Sequence, residues 1–191
     1  MICIGITGGI GSGKSVVAAI FSSMGIPCYL ADDAAKSLYE KDAELRHKMK
    51  LDVVTAVTTH CILHIHLFKN EILDRAALAQ IVFNQPDKLQ QLNQLVHPAI
   101  GRDFQAWKAS QSAPIIAFES ALLFQSEMGL HFDKSIAVTA PEDIRIARVC
   151  RRNNTSPEEV KSRMQHQWPQ EKIAKISCLS TTIDKPSYPK F

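Results

Sequence analysis

The residues with the clearest chemical signature form a glycine-rich stretch near the start of the chain. Residues 8–15, GGIGSGKS, match the pattern G-x-x-x-x-G-K-S/T in full. An apolar run, Ile2–Ile6, precedes this stretch and a run of helical composition, Val16–Met24, follows it, so the predicted order is strand, turn, helix. Such a turn directs backbone N–H groups and a helix N-terminus at one point, where they bind phosphate. We therefore predict a P-loop with a nucleoside triphosphate as its ligand.

The side chains of this loop have predictable roles. Lys14 places a charge beside the outer phosphates, and the Ser15 hydroxyl is expected to be a Mg²⁺ ligand. ATP and Mg²⁺ are accordingly the predicted cofactors, with Lys14 also counted as catalytic. The predicted ATP-binding residues of the loop are Gly9, Gly11, Ser12, Gly13, Lys14, Ser15 and Val16.

Carboxylates follow two further apolar runs that are predicted to be strands. Asp32 and Asp33 come after Ile26–Leu30, and Glu119 ends Ile115–Phe118. Ligands of open parallel sheets bind at the carboxyl ends of the strands, so we expect Asp32 to orient an acceptor hydroxyl and accept its proton. Asp33 is the alternative base, or else it only caps the helix predicted from Ala34 to about Lys50. Glu119 is the second predicted Mg²⁺ ligand, beside Ser15.

Arginines recur on a predicted helix near residue 145, which a polar turn separates from a second basic helix. Arginine binds phosphate oxygens in pairs and stays charged, so these helices are predicted to form a lid over the phosphates. Arg148 is the predicted catalytic arginine of the lid, and Arg148 and Arg152 are both expected to bind ATP. The arginines of the first helix are Arg145, Arg148, Arg151 and Arg152.

A helical lobe is predicted between these two regions. Helical runs at 76–83 and 88–96 are followed by His97-Pro98, which we expect to break the helix before it resumes toward Trp107. Arg75 and His97 are candidates for binding an anionic acceptor. A separate cluster of His60, Cys61, His64 and His66 lacks the second ligand group of a metal site, and its role is left open.

Composition and order together indicate one α/β domain with the three-layer P-loop NTPase fold and a parallel sheet. The core is expected at residues 1–50 and 113–140, a helical acceptor-binding lobe at about 71–112 and the arginine-rich lid at about 141–170. Five scattered cysteines form no C-x-x-C pair, and the net charge is only +3, so neither a disulfide framework nor a nucleic-acid partner is indicated. Without a signal peptide or membrane-spanning run, a cytoplasmic location is expected.

These motifs, taken in order, resemble the dephospho-CoA kinase family. The resemblance covers about residues 1–50 and 71–175 and is carried by several short motifs besides the P-loop. They are Ala31-Asp32 with Ala35 and Leu38, Leu73-Asp74-Arg75 with Leu78 and Val82-Phe83, His97-Pro98, Leu122-Leu123-Phe124, Arg148 with Arg152, and Arg163 with Gln167.

The resemblance implies a transferase that phosphorylates the ribose 3′-hydroxyl of dephospho-CoA with ATP, the last step of coenzyme A synthesis. It also implies that Asp32 is the base, that Arg75 and His97 lie in the acceptor lobe, and that Arg148 and Arg152 face ATP. One rival is another small-molecule or nucleoside monophosphate P-loop kinase, and a second is a nucleotide-dependent switch or nucleic-acid ATPase. The sequence does not distinguish a monomer from a small homo-oligomer, and it does not give the pose of the acceptor.

Three segments depart from the family pattern. Residues 52–70 lack the Phe-Gly that usually follows the helix of Asp32. After Glu119 the chain reads SALLFQ at 120–125, without the usual Pro and second Glu. The tail at 177–191 lacks the sequence of the family's last strand, so we expect that strand to be missing. The sequence does not tell whether this tail impairs the enzymatic activity.

Overall fold

The computed structural model describes residues 1–49, 68–69, 72–73, 78, 85–126, 128 and 130–183. The strands are β1 (Ile2–Thr7), β2 (Cys28–Leu30), β3 (Phe68–Lys69), β4 (Ile72–Leu73), β5 (Ile115–Glu119), β6 (Lys134–Thr139) and β7 (Leu179–Thr182). The helices are α1 (Lys14–Ser23), α2 (Ala31–Lys41), α3 (Ala43–Lys48), α4 (Pro86–Ala109), α5 (Glu142–Asn153), α6 (Pro157–Gln165) and α7 (Gln170–Ile176).

The chain divides into two compact units. The first unit comprises Met1–Ala31, Lys108–Ser126 and His131–Phe191, and it contains the P-loop and the large sheet. The second comprises Asp32–Trp107 and Glu127–Leu130, and it contains most of α2 and α4.

A five-stranded parallel sheet organises the first unit. Its strand order is β2-β5-β1-β6-β7, which places β1 at the centre and confirms the predicted α/β class. A central parallel strand is covered on both faces, which explains why β1 is apolar at successive positions rather than at alternate ones. The buried cluster of Ile6, Ala18, Ala117 and Val138 fills the space between the sheet and α1.

The strand predicted at Ile115–Phe118, with Glu119 at its end, is confirmed as β5. Phe118 in β5 is fully buried and stacks on Tyr29 of β2, with ring centroids 5.4 Å apart. Aromatic side chains bury large apolar areas, so this contact fixes the neighbouring strands and, with them, the ends that carry the acidic residues.

The helix predicted from Ala34 to about Lys50 is two helices. α2 begins at Ala31, and the chain breaks at Asp42, whose side chain accepts a hydrogen bond of 2.9 Å from the Leu45 backbone N–H. Asp42 therefore caps α3, since a side-chain oxygen at this position satisfies an N–H that lacks an intrahelical partner. Asp33 lies within the first turn of α2 and does not precede that helix, so its predicted capping role is wrong.

The predicted break at His97-Pro98 is also wrong, because α4 runs without interruption from Pro86 to Ala109. Proline removes one hydrogen bond from the helix interior and crowds the preceding turn. This cost is offset by burial on both sides of Pro98. The buried residues form one stripe at helical spacing, made of Leu92, Val96, Ala99, Ile100 and Phe104.

The strand that the tail was expected to lack is present as β7. Its residues pair in parallel with β6, in a register that joins Ile136 to Leu179 and Thr139 to Thr182. The Thr139 hydroxyl adds hydrogen bonds to the Thr181 carbonyl, at 3.2 Å, and to the Thr182 hydroxyl, at 2.9 Å. β-Branched threonine suits a strand, and the open edge of β6 supplies the pairing that the short tail cannot provide for itself.

Among the helices of the described ranges, none has both the length and the apolar character needed to cross a membrane. Several predicted features lie outside the described residues. They are the cluster of His60, Cys61, His64 and His66, the acceptor candidate Arg75, and the helix at 76–83 apart from Leu78.

Candidate active site

The backbone between β1 and α1 adopts the conformation that a phosphate-binding loop requires. The φ angles are +143° at Gly8, +77° at Gly11 and +105° at Gly13, values that side chains other than glycine rarely accept. The Ser12 N–H donates to the Gly9 carbonyl at 3.1 Å, which closes the turn, and α1 begins at Lys14. The loop is thus a concave turn that leads into a helix N-terminus, the arrangement that attracts an anion.

The glycines are also required by the close approach of atoms from β6 and α5. A Cβ on Gly8 would lie 2.0 Å from the Val138 carbonyl oxygen of β6. A Cβ on Gly9 would lie 2.5 Å from Nη2 of Arg145, and one on Gly11 would lie 2.5 Å from the Arg145 carbonyl oxygen. At these three glycines the loop is therefore packed against the sheet and α5 with no space for a Cβ atom.

Lys14 and Glu119 form a buried pair beside the loop. Lys14 is 8% exposed and Glu119 is 7% exposed, and Nζ of Lys14 lies 3.7 Å from Oε1 of Glu119. The same Nζ donates to the Gly9 carbonyl at 3.4 Å. Strand register explains the meeting, because Glu119 at the end of β5 pairs with Ile6 near the end of β1. Buried charges are stable only when paired, so the acid keeps the lysine ammonium at the loop.

Of the two predicted ATP-binding arginines, only Arg148 contacts the loop in the described residues. Its Nη1 donates to the Gly11 carbonyl at 3.2 Å and to the Ser12 carbonyl at 3.4 Å. Its Nη2 donates to the Ile183 carbonyl, also at 3.2 Å, which joins the loop to the segment after β7. Arg152 lies one turn further along α5, is exposed, and donates from Nε to the Asn153 side chain.

Arg145 and Gln167 hold the loop at Ile10, a role that the sequence did not indicate for either residue. Nε of Arg145 donates to the Ile10 carbonyl at 2.9 Å, and the Ile10 N–H donates to Oε1 of Gln167 at 2.8 Å. Burial lowers the pKa of the Arg145 guanidinium below its ordinary value, with Glu142 and Glu171 acting in the opposite direction. The available signal was the spacing of Arg145 and Arg148, which places both on one face of α5.

The two candidate bases have different surroundings in the second unit. Asp33 Oδ1 accepts a 2.6 Å hydrogen bond from Nζ of Lys36, and both side chains are exposed. Asp32 is exposed in the first turn of α2, and its carboxylate forms no ion pair with any residue that the structure describes. Asp33 is therefore paired within its own helix, whereas Asp32 is not paired with any described residue.

His97 is half-buried within α4, in the same unit as Asp32. Ser15 is exposed in the first turn of α1. Within the described ranges, no group of three or more His, Cys, Asp or Glu residues has the geometry to hold a metal ion. Any metal bound by Ser15 and Glu119 would therefore need further oxygen ligands from substrate or water, as Mg²⁺ commonly has in phosphoryl-transfer sites.

The parallel sheet, the glycine loop and the buried lysine define a P-loop NTPase fold. A shikimate kinase from Acinetobacter baumannii shares this fold, at 8% identity and a TM-score of 0.51 over 97% of this chain and 85% of that one.

Comparison with known proteins narrows this class to one family. A family model for dephospho-CoA kinase matches residues 2–181. A dephospho-CoA kinase from Porphyromonas gingivalis is 38% identical over 98% of this chain and 88% of its own length. One from Chlorobaculum tepidum is 38% identical over 89% of this chain and 80% of its own length.

Two solved structures are similar to this chain in both fold and sequence. The protein TT1252 from Thermus thermophilus matches with a TM-score of 0.74 at 33% identity, over 96% of this chain and 88% of that one. A dephospho-CoA kinase from Campylobacter jejuni matches with a TM-score of 0.58 at 25% identity, over 98% of this chain and 89% of that one. The chain belongs to the dephospho-CoA kinase family. It is therefore a transferase that uses ATP to phosphorylate dephospho-CoA.

Gly11→Ala and Gly25→Ala form a matched pair, because φ is +77° at Gly11 and +79° at Gly25 and the backbone strain is therefore similar. A difference between the two variants measures the effect of packing around the loop at Gly11. Alanine in this conformation costs about 1 to 2 kcal/mol at either position. Only at Gly11 does the new Cβ also meet the Arg145 backbone, while no described atom lies within 4 Å of a Cβ on Gly25.

We expect Gly11→Ala to unfold at a lower urea concentration than Gly25→Ala and to bind ADP at least about tenfold more weakly than the wild type. Gly25→Ala should bind ADP normally. Urea denaturation and calorimetric titration with ADP measure the two effects. Equal losses of stability with unchanged affinity for ADP would contradict the described packing of the loop.

Proposed function

We propose that this chain transfers the γ-phosphoryl group of ATP to the ribose 3′-hydroxyl of dephospho-CoA, which gives coenzyme A and ADP. The observation that carries the proposal is the buried Lys14 ammonium at a glycine loop whose backbone has the shape of an anion site. Phosphoryl transfer depends mainly on positioning and charge neutralisation, and this loop supports both.

The proposed ATP site uses the loop together with α5. Backbone N–H groups of Gly9, Gly11 and residues 13–15 would donate to the phosphates, and Lys14 would bind the outer phosphate oxygens. The N–H groups of Ser12 and Val16 already donate to the Gly9 and Gly13 carbonyls. Phosphate would then compete with Glu119 and the Gly9 carbonyl for the lysine ammonium. Arg148 already donates hydrogen bonds to the loop carbonyls of Gly11 and Ser12. Movement of α5 toward the nucleotide would bring Arg152 to the phosphates bound by the loop.

Ser15 and Glu119 fit the chemistry of a Mg²⁺ site, because both offer oxygen ligands and Mg²⁺ prefers oxygen. The fit rests on Glu119, whose buried carboxylate lies next to the loop through its contact with Lys14. Mg²⁺ bound there would neutralise charge on the β- and γ-phosphates. Ser15 would contribute its exposed hydroxyl from the first turn of α1.

Asp32 is the proposed base toward the acceptor. It lies two residues beyond Leu30, the last residue of β2, and ligands of parallel sheets bind at such strand ends. Its carboxylate would orient the ribose 3′-hydroxyl and accept its proton as the new P–O bond forms. We further propose Arg75 and His97 as acceptor-binding residues in a lobe at about 71–112, and a lid at about 141–170 that excludes water.

The proposed setting of this reaction is the cytoplasm, with no nucleic-acid or membrane partner. The absence of a nucleic-acid partner is supported by the small net charge of +3, which does not by itself indicate a nucleic-acid surface.

The reaction is tested by ADP release with ATP, Mg²⁺ and one acceptor at a time: dephospho-CoA, AMP, shikimate or none. We expect ADP only with dephospho-CoA, and no ADP from Lys14→Ala, because that variant lacks the charge at the outer phosphates. A coupled assay for ADP gives the rates. Turnover with AMP or shikimate but not with dephospho-CoA would overturn the proposed substrate.

Asp32→Asn and Asp33→Asn separate the two candidate bases, since each change keeps the size and removes the charge. We expect Asp32→Asn to lower kcat by about 10² to 10⁴-fold, the usual contribution of a general base. Asp33→Asn, which breaks only an exposed pair with Lys36, should keep kcat within about threefold of the wild type. Steady-state kinetics with dephospho-CoA measure both. A larger loss in Asp33→Asn than in Asp32→Asn would reverse the assignment.

A further inference from the structure

Arg145 has an unusual position for an arginine, because it is buried against a backbone loop. The residue is 6% exposed, and its polar contact is the 2.9 Å hydrogen bond from Nε to the Ile10 carbonyl. The ion pairs of the described residues do not include Arg145. Since a buried charged donor needs a strong acceptor, the Ile10 carbonyl is the partner that makes this burial tolerable.

The same residue restricts the loop on both sides of Ile10. The guanidinium lies against Gly9, where an added Cβ would be 2.5 Å from Nη2, and the Arg145 backbone carbonyl lies against Gly11. Gln167 holds the Ile10 N–H at 2.8 Å. The peptide groups on either side of Ile10 are therefore fixed from outside the loop, by α5 and by the residue that follows α6 by two positions.

Fixing this carbonyl has a consequence for the phosphate site. A glycine-rich loop has many accessible conformations, and only those with the N–H groups on the concave side bind an anion. A hydrogen bond that holds the Ile10 carbonyl outward keeps the neighbouring N–H groups inward before ATP arrives. Preorganised loops bind more tightly because less conformational entropy is lost on binding.

We infer that Arg145 is a positioning residue for the P-loop, which acts through the Ile10 carbonyl and sets the affinity for ATP. The inference rests on the proposed function only in taking ATP as the ligand of the loop. Arg145 itself is not proposed to touch the phosphates, unlike Arg148.

Arg145→Met and Arg145→Gln form the matched pair that tests this role. Glutamine carries an N–H donor at the same number of bonds from Cα as Nε of arginine, whereas methionine has a methyl group there. Both variants lose the charge and keep a long side chain in the space beside Gly9. Lys175→Met, an exposed change on α7 in the same unit, controls for the loss of one positive charge.

For Arg145→Met we expect Kd for ADP and KM for ATP to rise about tenfold, the effect of losing a charge-assisted hydrogen bond. KM for dephospho-CoA should stay within about twofold. Arg145→Gln should recover most of the ATP affinity, and Lys175→Met should match the wild type. Calorimetric titration with ADP requires no acceptor, so it reports on Arg145 even if the wild type fails to phosphorylate dephospho-CoA.

A purely structural role predicts a different result. Lower thermal stability with a reduced kcat and both KM values unchanged would overturn the inference, because it means fewer folded molecules with a normal loop. Equal ADP affinities of Arg145→Met and Arg145→Gln would overturn it as well. If Arg145→Met does not fold, Arg145→Gln still tests the inference. An affinity for ADP far below that of the wild type would overturn it, because this variant keeps an N–H donor for the Ile10 carbonyl.

Discussion

The shape of the backbone at residues 8–13 is the constraint on which the rest of this structure depends. Three glycines at positive φ turn the chain between β1 and α1, and they leave no space for side chains against β6 and α5. Glycine makes the turn possible without making it rigid. Rigidity comes from the arginines of α5, which bind the carbonyls of Ile10, Gly11 and Ser12, and from Gln167, which binds an N–H.

The order of the strands places charged side chains beside the glycine loop. Because β5 lies directly beside β1, the acid that ends β5 reaches the lysine that begins α1, and both are buried. On the other side of β1, β6 leads into α5 and pairs with β7, whose following residue accepts a hydrogen bond from Arg148. The sheet thus connects the loop, Glu119 at the end of β5 and the arginines of α5 within one unit. The family assignment identifies the reaction of this unit as phosphoryl transfer from ATP.

Local features of this chain were predictable from sequence, and non-local ones were not. The strand, loop and helix at the N-terminus follow from short-range periodicity and glycine spacing, as do β5 and β6. The continuity of α4 through Pro98 depends on burial of its apolar stripe, which outweighs the local preference of proline. β7 depends on the open edge of β6, and the bond from Arg145 to Ile10 spans 135 residues, so neither has a local signal. The roles of Asp32, Arg75 and His97 stay predictions.

The most direct test of the central claim is the chemical identity of the phosphorylated product. The protein is incubated with ATP, Mg²⁺ and dephospho-CoA, and ³¹P NMR with proton correlation locates the new phosphate. The account predicts a phosphomonoester coupled to the proton on ribose C3′, formed in equal amounts with ADP. ADP without a phosphorylated acceptor, or a phosphate on any other oxygen of dephospho-CoA, would contradict it.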